Sequence, residues 1–148
     1  MNLTANFTLS ELTVSEVAAR NGLDNTPNGA VIENLKRLAA LLEQIRSLLG
    51  CPVIVHSGYR STAVNKAVGG SSTSAHCDGR AADFIAPAFG TPQEIAKVIK
   101  NAGIVFDQLI YEGTWVHIAV PRADEQPRQQ VLTAHFSGGP ATYTEGIA

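Results

Sequence analysis

Several things are scarce in this chain. Only two cysteines, Cys51 and Cys77, occur in 148 residues, which is no disulfide framework for a chain of this length, and both are expected to be free thiols. Charged residues make up 16% and the formal net charge is −2. Binders of nucleic acid usually present a basic face, so nucleic acid is not an expected partner. No apolar run approaches the ~20 residues that span a bilayer, so a membrane is not expected either. Residues 1–7, MNLTANF, lack the cationic start and continuous apolar core of a secretory signal. Synthesis in the cytoplasm is therefore expected, with any action outside depending on a separate route of release.

What is present is an ordinary hydrophobic content of 45%, enough for one domain that buries about 70% of the surface its unfolded chain exposes. A single domain over residues 1–148 is expected, with its core over about 7–136. Residues beyond Ser137, with Gly138-Gly139-Pro140, read as a poorly ordered terminus.

Hydrophobic spacing divides the chain into elements. Val31, Leu35, Leu38, Leu42, Ile45 and Leu49 recur every three or four residues and predict one long amphipathic helix over residues 30–49, ended by Gly50 and Pro52. Shorter helices are expected over 10–12, 16–20 and 61–68. Thr91-Pro92-Gln93-Glu94 carries the signature of a capped helix start, with a run to about Asn101; Glu94 is then a cap. Residues 53–56 and 81–86 read as β-branched or apolar strands, and residues 129–136 as an added edge strand. The resulting fold class is α+β: helices packed on one face of a small, mainly antiparallel sheet. His56 and His135 read as structural or surface histidines.

Residues 106–112 and 115–120 form a predicted hairpin around Gly113-Thr114, the Gly-X composition of a two-residue turn. With that loop length Glu112 faces Trp115 and Ile110 faces His117. Glu112 and His117 then share one face as diagonal neighbours, roughly 7–8 Å apart at Cα, and Glu112 becomes the candidate general base. Asp78 and Asp107 are weaker alternatives.

Upstream lies Ser74-Ala75-His76-Cys77-Asp78-Gly79-Arg80-Ala81-Ala82-Asp83. His76 sits in a polar turn feeding the strand that holds Asp83, and His117 arrives from a neighbouring strand. Two neutral imidazoles and a carboxylate supply three N/O donors to one Zn²⁺ and leave a fourth tetrahedral position open, a set suited to hydrolysis. Cys77 is set aside because adjacent side chains diverge and Asp83 completes the set. Arg60, at the end of the 53–56 strand, reads from position alone either as a solvated arginine or as a fork for a carboxylate or oxyanion.

The pattern S-x-H-x-x-G-x-A-x-D followed by W-x-H resembles the zinc D-Ala-D-Ala carboxypeptidase and phage L-Ala-D-Glu endopeptidase family, which shares its fold with the hedgehog signalling domain. The resemblance extends to Ser57-Gly58-Tyr59-Arg60-Ser61, Asn65 and Gly69-Gly70, and covers roughly residues 7–120. It implies a zinc peptidase acting on peptidoglycan stem peptides, with Arg60 contacting substrate and Ser74 orienting the site or the substrate. Many relatives place their acidic base three residues before the last histidine, where this chain has Thr114; the I-x-E-x-x-W-V-H arrangement points to Glu112 instead. The size and the missing signal suit a phage or prophage wall hydrolase or a virion component. A non-catalytic zinc module on the same fold is the competing expectation, supported by Thr114, and a D-Ala-D-Ala dipeptidase the third.

Overall fold

Capping residues set most helix ends from local sequence. α1 (Leu9–Thr13) begins at Thr8, which is reciprocally capped with Glu11, and α2 (Glu16–Asn21) begins at Ser15. Asn28 caps α3 (Gly29–Leu49), the long helix that the apolar spacing predicts. Ser61 caps α4 (Thr62–Ala67), and α5 (Pro92–Asn101) shows the full Thr91/Glu94 capping box with proline in its first turn. Each Ser, Thr or Asn oxygen satisfies a backbone N–H that the first helical turn leaves free.

The computed structural model describes residues 1–148. Its strands are β1 (Ile54–Ser57), β2 (Ala81–Ile85), β3 (Gln108–Tyr111), β4 (Val116–Ala119), β5 (Gln130–His135) and β6 (Thr142–Glu145), in the spatial order β1-β2-β4-β3-β5-β6. All neighbours run antiparallel except β3 and β5. The α+β expectation therefore holds, with one parallel pair in a mainly antiparallel sheet. None of the helices is long and apolar enough to cross a membrane.

Strand alternation separates two faces. Ala82, Phe84, Leu109, Val116 and Ile118 point to one side and join Leu35, Leu38, Leu42, Ile45, Ile95 and Ile99 of α3 and α5 in the main core. Asp83, Ile110 and His117 occupy the opposite side, in one row across three strands: Asp83 pairs with His117 and His117 with Ile110. The pleat that buries Phe84 and Val116 under the helices therefore delivers Asp83 and His117 to the other surface. Between Val55 and Ser57 the β1 register slips by a residue. Such a bulge re-aims the chain, here into the Gly58-Tyr59-Arg60 loop.

The end of the chain departs from expectation. β5 is an inner strand, paired with β3 on one side and β6 on the other, so the edge is formed by residues expected to be loosely ordered. The cause is Ile147, which is buried in the main core at 8% exposure. Thr133 Oγ1 donates to the Gly146 carbonyl, Gly146 N–H to the Val131 carbonyl, and Gln93 Nε2 to the Ala148 carbonyl. A small polar composition concealed one apolar anchor.

That anchoring predicts that Ile147→Ala lowers the unfolding free energy by about 2–5 kcal/mol, the usual cost of truncating a buried isoleucine. Urea denaturation measures it, and a wild-type midpoint would show that the terminus is only loosely held.

Candidate metal centre

The site starts from a tight turn. Residues Ala75–Asp78 form one short 3₁₀ turn in which Ser74 Oγ accepts the His76 N–H at 3.2 Å, so Ser74 orients the residue that bears the ligand. Gly79 closes the turn at φ +74°, and a Cβ there would lie 2.8 Å from Val31 Cγ1. Only glycine allows this conformation together with the close approach of α3. Asn34 Nδ2 donates to the Asp78 carbonyl at 2.9 Å and fastens the turn to the same helix.

His76, 2% exposed, reaches the open side of the sheet. Its Nδ1 lies 2.7 Å from the Gly58 carbonyl, and its Nε2 lies 3.2 Å from Asp83 Oδ1. On the other flank His117 Nδ1 is 3.1 Å from the same oxygen. The three ligand atoms lie within 4.8 Å of one another, and the group can hold a metal ion.

The donor chemistry fits a cation. A carbonyl only accepts, so His76 Nδ1 carries the proton and Nε2 of the neutral ring turns a lone pair toward Asp83. Two lone-pair atoms at 3.2 Å repel unless a cation or an extra proton lies between them. The other nitrogen of His117, Nε2, is buried without a partner in the fold. Burial works against ionisation of Asp83, yet with the rings protonated the charges and hydrogen bonds of His76 and His117 outweigh it and hold the carboxyl well below the usual carboxylate range; a cation among the three groups would take the place of those ring protons. Asp83 is thus an anion ready for a cation.

Gly58 supports the centre from behind. A Cβ at Gly58 would collide with the Leu12 carbonyl oxygen, and Tyr59 N–H donates to that oxygen at 2.8 Å. The absent side chain lets α1 hold the loop whose carbonyl sets the His76 tautomer. Asn25 ties the same loop: Nδ2 donates to the Thr13 and Tyr59 carbonyls, and Oδ1 accepts from Ser61 N–H. Nothing in the loop-forming composition of residues 24–29 marks Asn25 for this work.

The hairpin register is the one predicted. Glu112 N–H donates to the Trp115 carbonyl, Ile110 pairs with His117, and Gly113 takes φ +83°. Glu112 lines the same cavity as His76, Asp83 and His117. Trp115 Nε1–H donates to Glu112 Oε2 at 2.6 Å, a contact implicit in the register that sets those residues opposite. Burial pushes the Glu112 carboxyl above its ordinary value, partly offset by His117 and the tryptophan hydrogen bond. Thr114 is exposed at the turn.

The weaker carboxylate candidates are occupied elsewhere. Arg128 grips both oxygens of Asp107, at 3.1 and 2.8 Å, and Asp78 accepts from Arg80 Nε at 3.1 Å. Burial pushes the Cys77 thiol up, so it remains protonated, and both cysteines are free. Arg60 N–H donates to the His76 carbonyl at 3.0 Å, its side chain lines the cavity, and its buried Nε has no partner in the fold.

With this geometry in place, a family model described as Peptidase M15 matches residues 5–119. No curated protein matches the chain.

The centre predicts two outcomes. Metal supplied at a hundredfold excess over its Kd adds about 2.7 kcal/mol to the folded state, and a thermal scan should show Tm higher by about 5–10 °C. Asp83→Asn should abolish that rise; a rise that persists would place the metal elsewhere. Gly58→Ala should weaken metal affinity about 10–100-fold, the usual effect of disturbing a partner behind a ligand. Titration against a chromogenic chelator reads it, and an unchanged Kd would remove the Gly58 carbonyl from the account.

Proposed function

The chain belongs to the peptidase M15 family, whose members are metal-dependent peptidases, and from that premise we propose that it is a zinc peptidase hydrolysing peptide bonds in peptidoglycan stem peptides. The observation carrying this reading is the half-buried carboxylate of Glu112, held by Trp115 in the cavity that contains the His76, Asp83 and His117 group. The bond cut is of the D,D-carboxypeptidase or L-Ala-D-Glu endopeptidase type.

His76, Asp83 and His117 would hold the zinc. When bound there, the ion supplies Lewis acidity toward the scissile carbonyl and toward water. Glu112 performs the proton transfers. Its Oε2 is engaged by the Trp115 Nε1–H, which leaves Oε1 to take a proton from the attacking water and pass it to the leaving amine nitrogen. The hydroxyl of water ends on the acyl carbon, and the C–N bond breaks. Arg60, whose buried Nε is unpaired, holds a substrate carboxylate or the developing oxyanion.

The alternative of a non-catalytic zinc module drew on Thr114. A carboxylate at Glu112, two residues earlier and in the cavity lined by His76, Asp83 and His117, supports catalysis instead. We place the protein's work at the cell wall, as a phage or prophage hydrolase or a virion component. A gene position far from any lysis or tail genes would count against that setting.

Glu112→Gln should lower kcat by about 10²–10⁴ while leaving metal content unchanged; wild-type turnover would remove Glu112 as the base. The base must be ionised, so the acid limb of kcat/KM should report the titration of Glu112. In Trp115→Phe the carboxylate loses a donor that favours its charged form, and the limb should move to higher pH. A limb that stayed in place would show that the hydrogen bond does not tune Glu112.

A further inference from the structure

The cleft at the metal group has two arms. One, of about 870 Å³, crosses the open face of the sheet toward the C-terminal hairpin, where Phe136 and Tyr143 are more than half exposed. The other, of about 670 Å³, lies by edge strand β1, against α2 and α4. Arg60, Val68, Asp83 and Trp115 line both. Asp83 of the metal group borders both arms, whereas His76, His117 and Glu112 line the first alone.

The second arm is built like a binding site. Val17, Val55 and Val64 give it apolar walls, while Arg20 and His56 add polar groups, the make-up of a cavity that takes an organic ligand. His56 occupies the β1 bulge. Apart from Asp83, Trp115 and Arg60 at the junction, and Tyr59, whose backbone helps hold the Gly58 loop, the residues of this arm have no part in the metal centre or the base.

A carboxypeptidase removes one residue, so its cleft has to close one residue past the scissile bond, at a cation that receives the terminal carboxylate. Arg60 is the cation with an unpaired, buried Nε, and it lines both arms rather than the far end of one. Beyond it the second arm offers far more room than one side chain fills. A chain crossing Arg60 can pass a backbone carbonyl or a side-chain carboxylate to the guanidinium and run on.

Resting on the peptidase reading above, we infer that the protein is an endopeptidase whose substrate occupies both arms, so that an internal bond lies over the metal group. Water adds its hydroxyl to the acyl carbon and a proton to the amine nitrogen, and both products leave as peptides. The second arm receives one of them, with its apolar side chains on Val17, Val55 and Val64.

The test uses zinc-loaded protein, purified peptidoglycan, and a stem pentapeptide in two forms: free at both ends, and acetylated and amidated. Mass spectrometry should find one internal cut, with kcat/KM for the two pentapeptides within about threefold. Val14→Trp and Val17→Trp crowd the second arm, and Val14 is 64% exposed, so its replacement leaves the core intact. Each should lower kcat/KM about tenfold or more, because remote binding energy is lost, at unchanged metal content and Tm. Release of only the C-terminal residue, from peptide or wall, would overturn the inference and leave the peptidase reading standing. Wild-type kinetics in both tryptophan variants would overturn it as well. No product from any of these substrates with zinc bound would overturn the peptidase reading itself, and the inference with it.

Discussion

One carboxylate holds this design together. Asp83 is largely buried between two imidazoles, with a single oxygen 3.2 Å from His76 Nε2 and 3.1 Å from His117 Nδ1. An isolated anion at such a site would neutralise itself, because desolvation disfavours charge. Positive charge beside it keeps it ionised, carried by ring protons or by a shared cation that resolves the lone pairs that would otherwise face one another. Much of the remaining local structure serves that convergence: Ser74 and Gly79 shape the turn that lifts His76, the Gly58 carbonyl fixes its tautomer, and the β2/β4 pairing sets Asp83 against His117.

The sheet couples stability to function through its pleat. A one-residue slip of β4 against β2 would turn His117 into the core and Val116 onto the open face. The hydrophobic packing of Phe84, Val116 and Ile118 under α3 and α5 therefore specifies the position of the ligands as firmly as any polar contact. The same register places Glu112 opposite Trp115, so the hairpin carries a ligand, a carboxylate and the donor that orients it.

Much of this was legible in the sequence because it depends on short-range rules. Periodicity located α3, capping chemistry located α5, and a Gly-X turn of two residues determined which side chains of the hairpin share a face. Partners distant along the chain were not legible. Asn25 reaches the Tyr59 carbonyl from a polar loop, and Gly58 contributes a carbonyl and an absence of side chain, neither of which has a local pattern. Asp107, a weaker candidate base from its position, is held by Arg128 from 21 residues away. The C-terminal strand escaped notice because Ile147 is a lone apolar residue among small polar ones.

The central claim is that the His76, Asp83 and His117 group carries the ion on which peptide hydrolysis depends. Its most direct measurement is mass spectrometry of the soluble products released from purified peptidoglycan by protein loaded with zinc, stripped by a chelator, and then reloaded. The account predicts new stem-peptide fragments from the loaded protein, none from the stripped protein, and their return on reloading. Fragments released equally by stripped protein, or no fragments from several wall types with zinc bound, would contradict it.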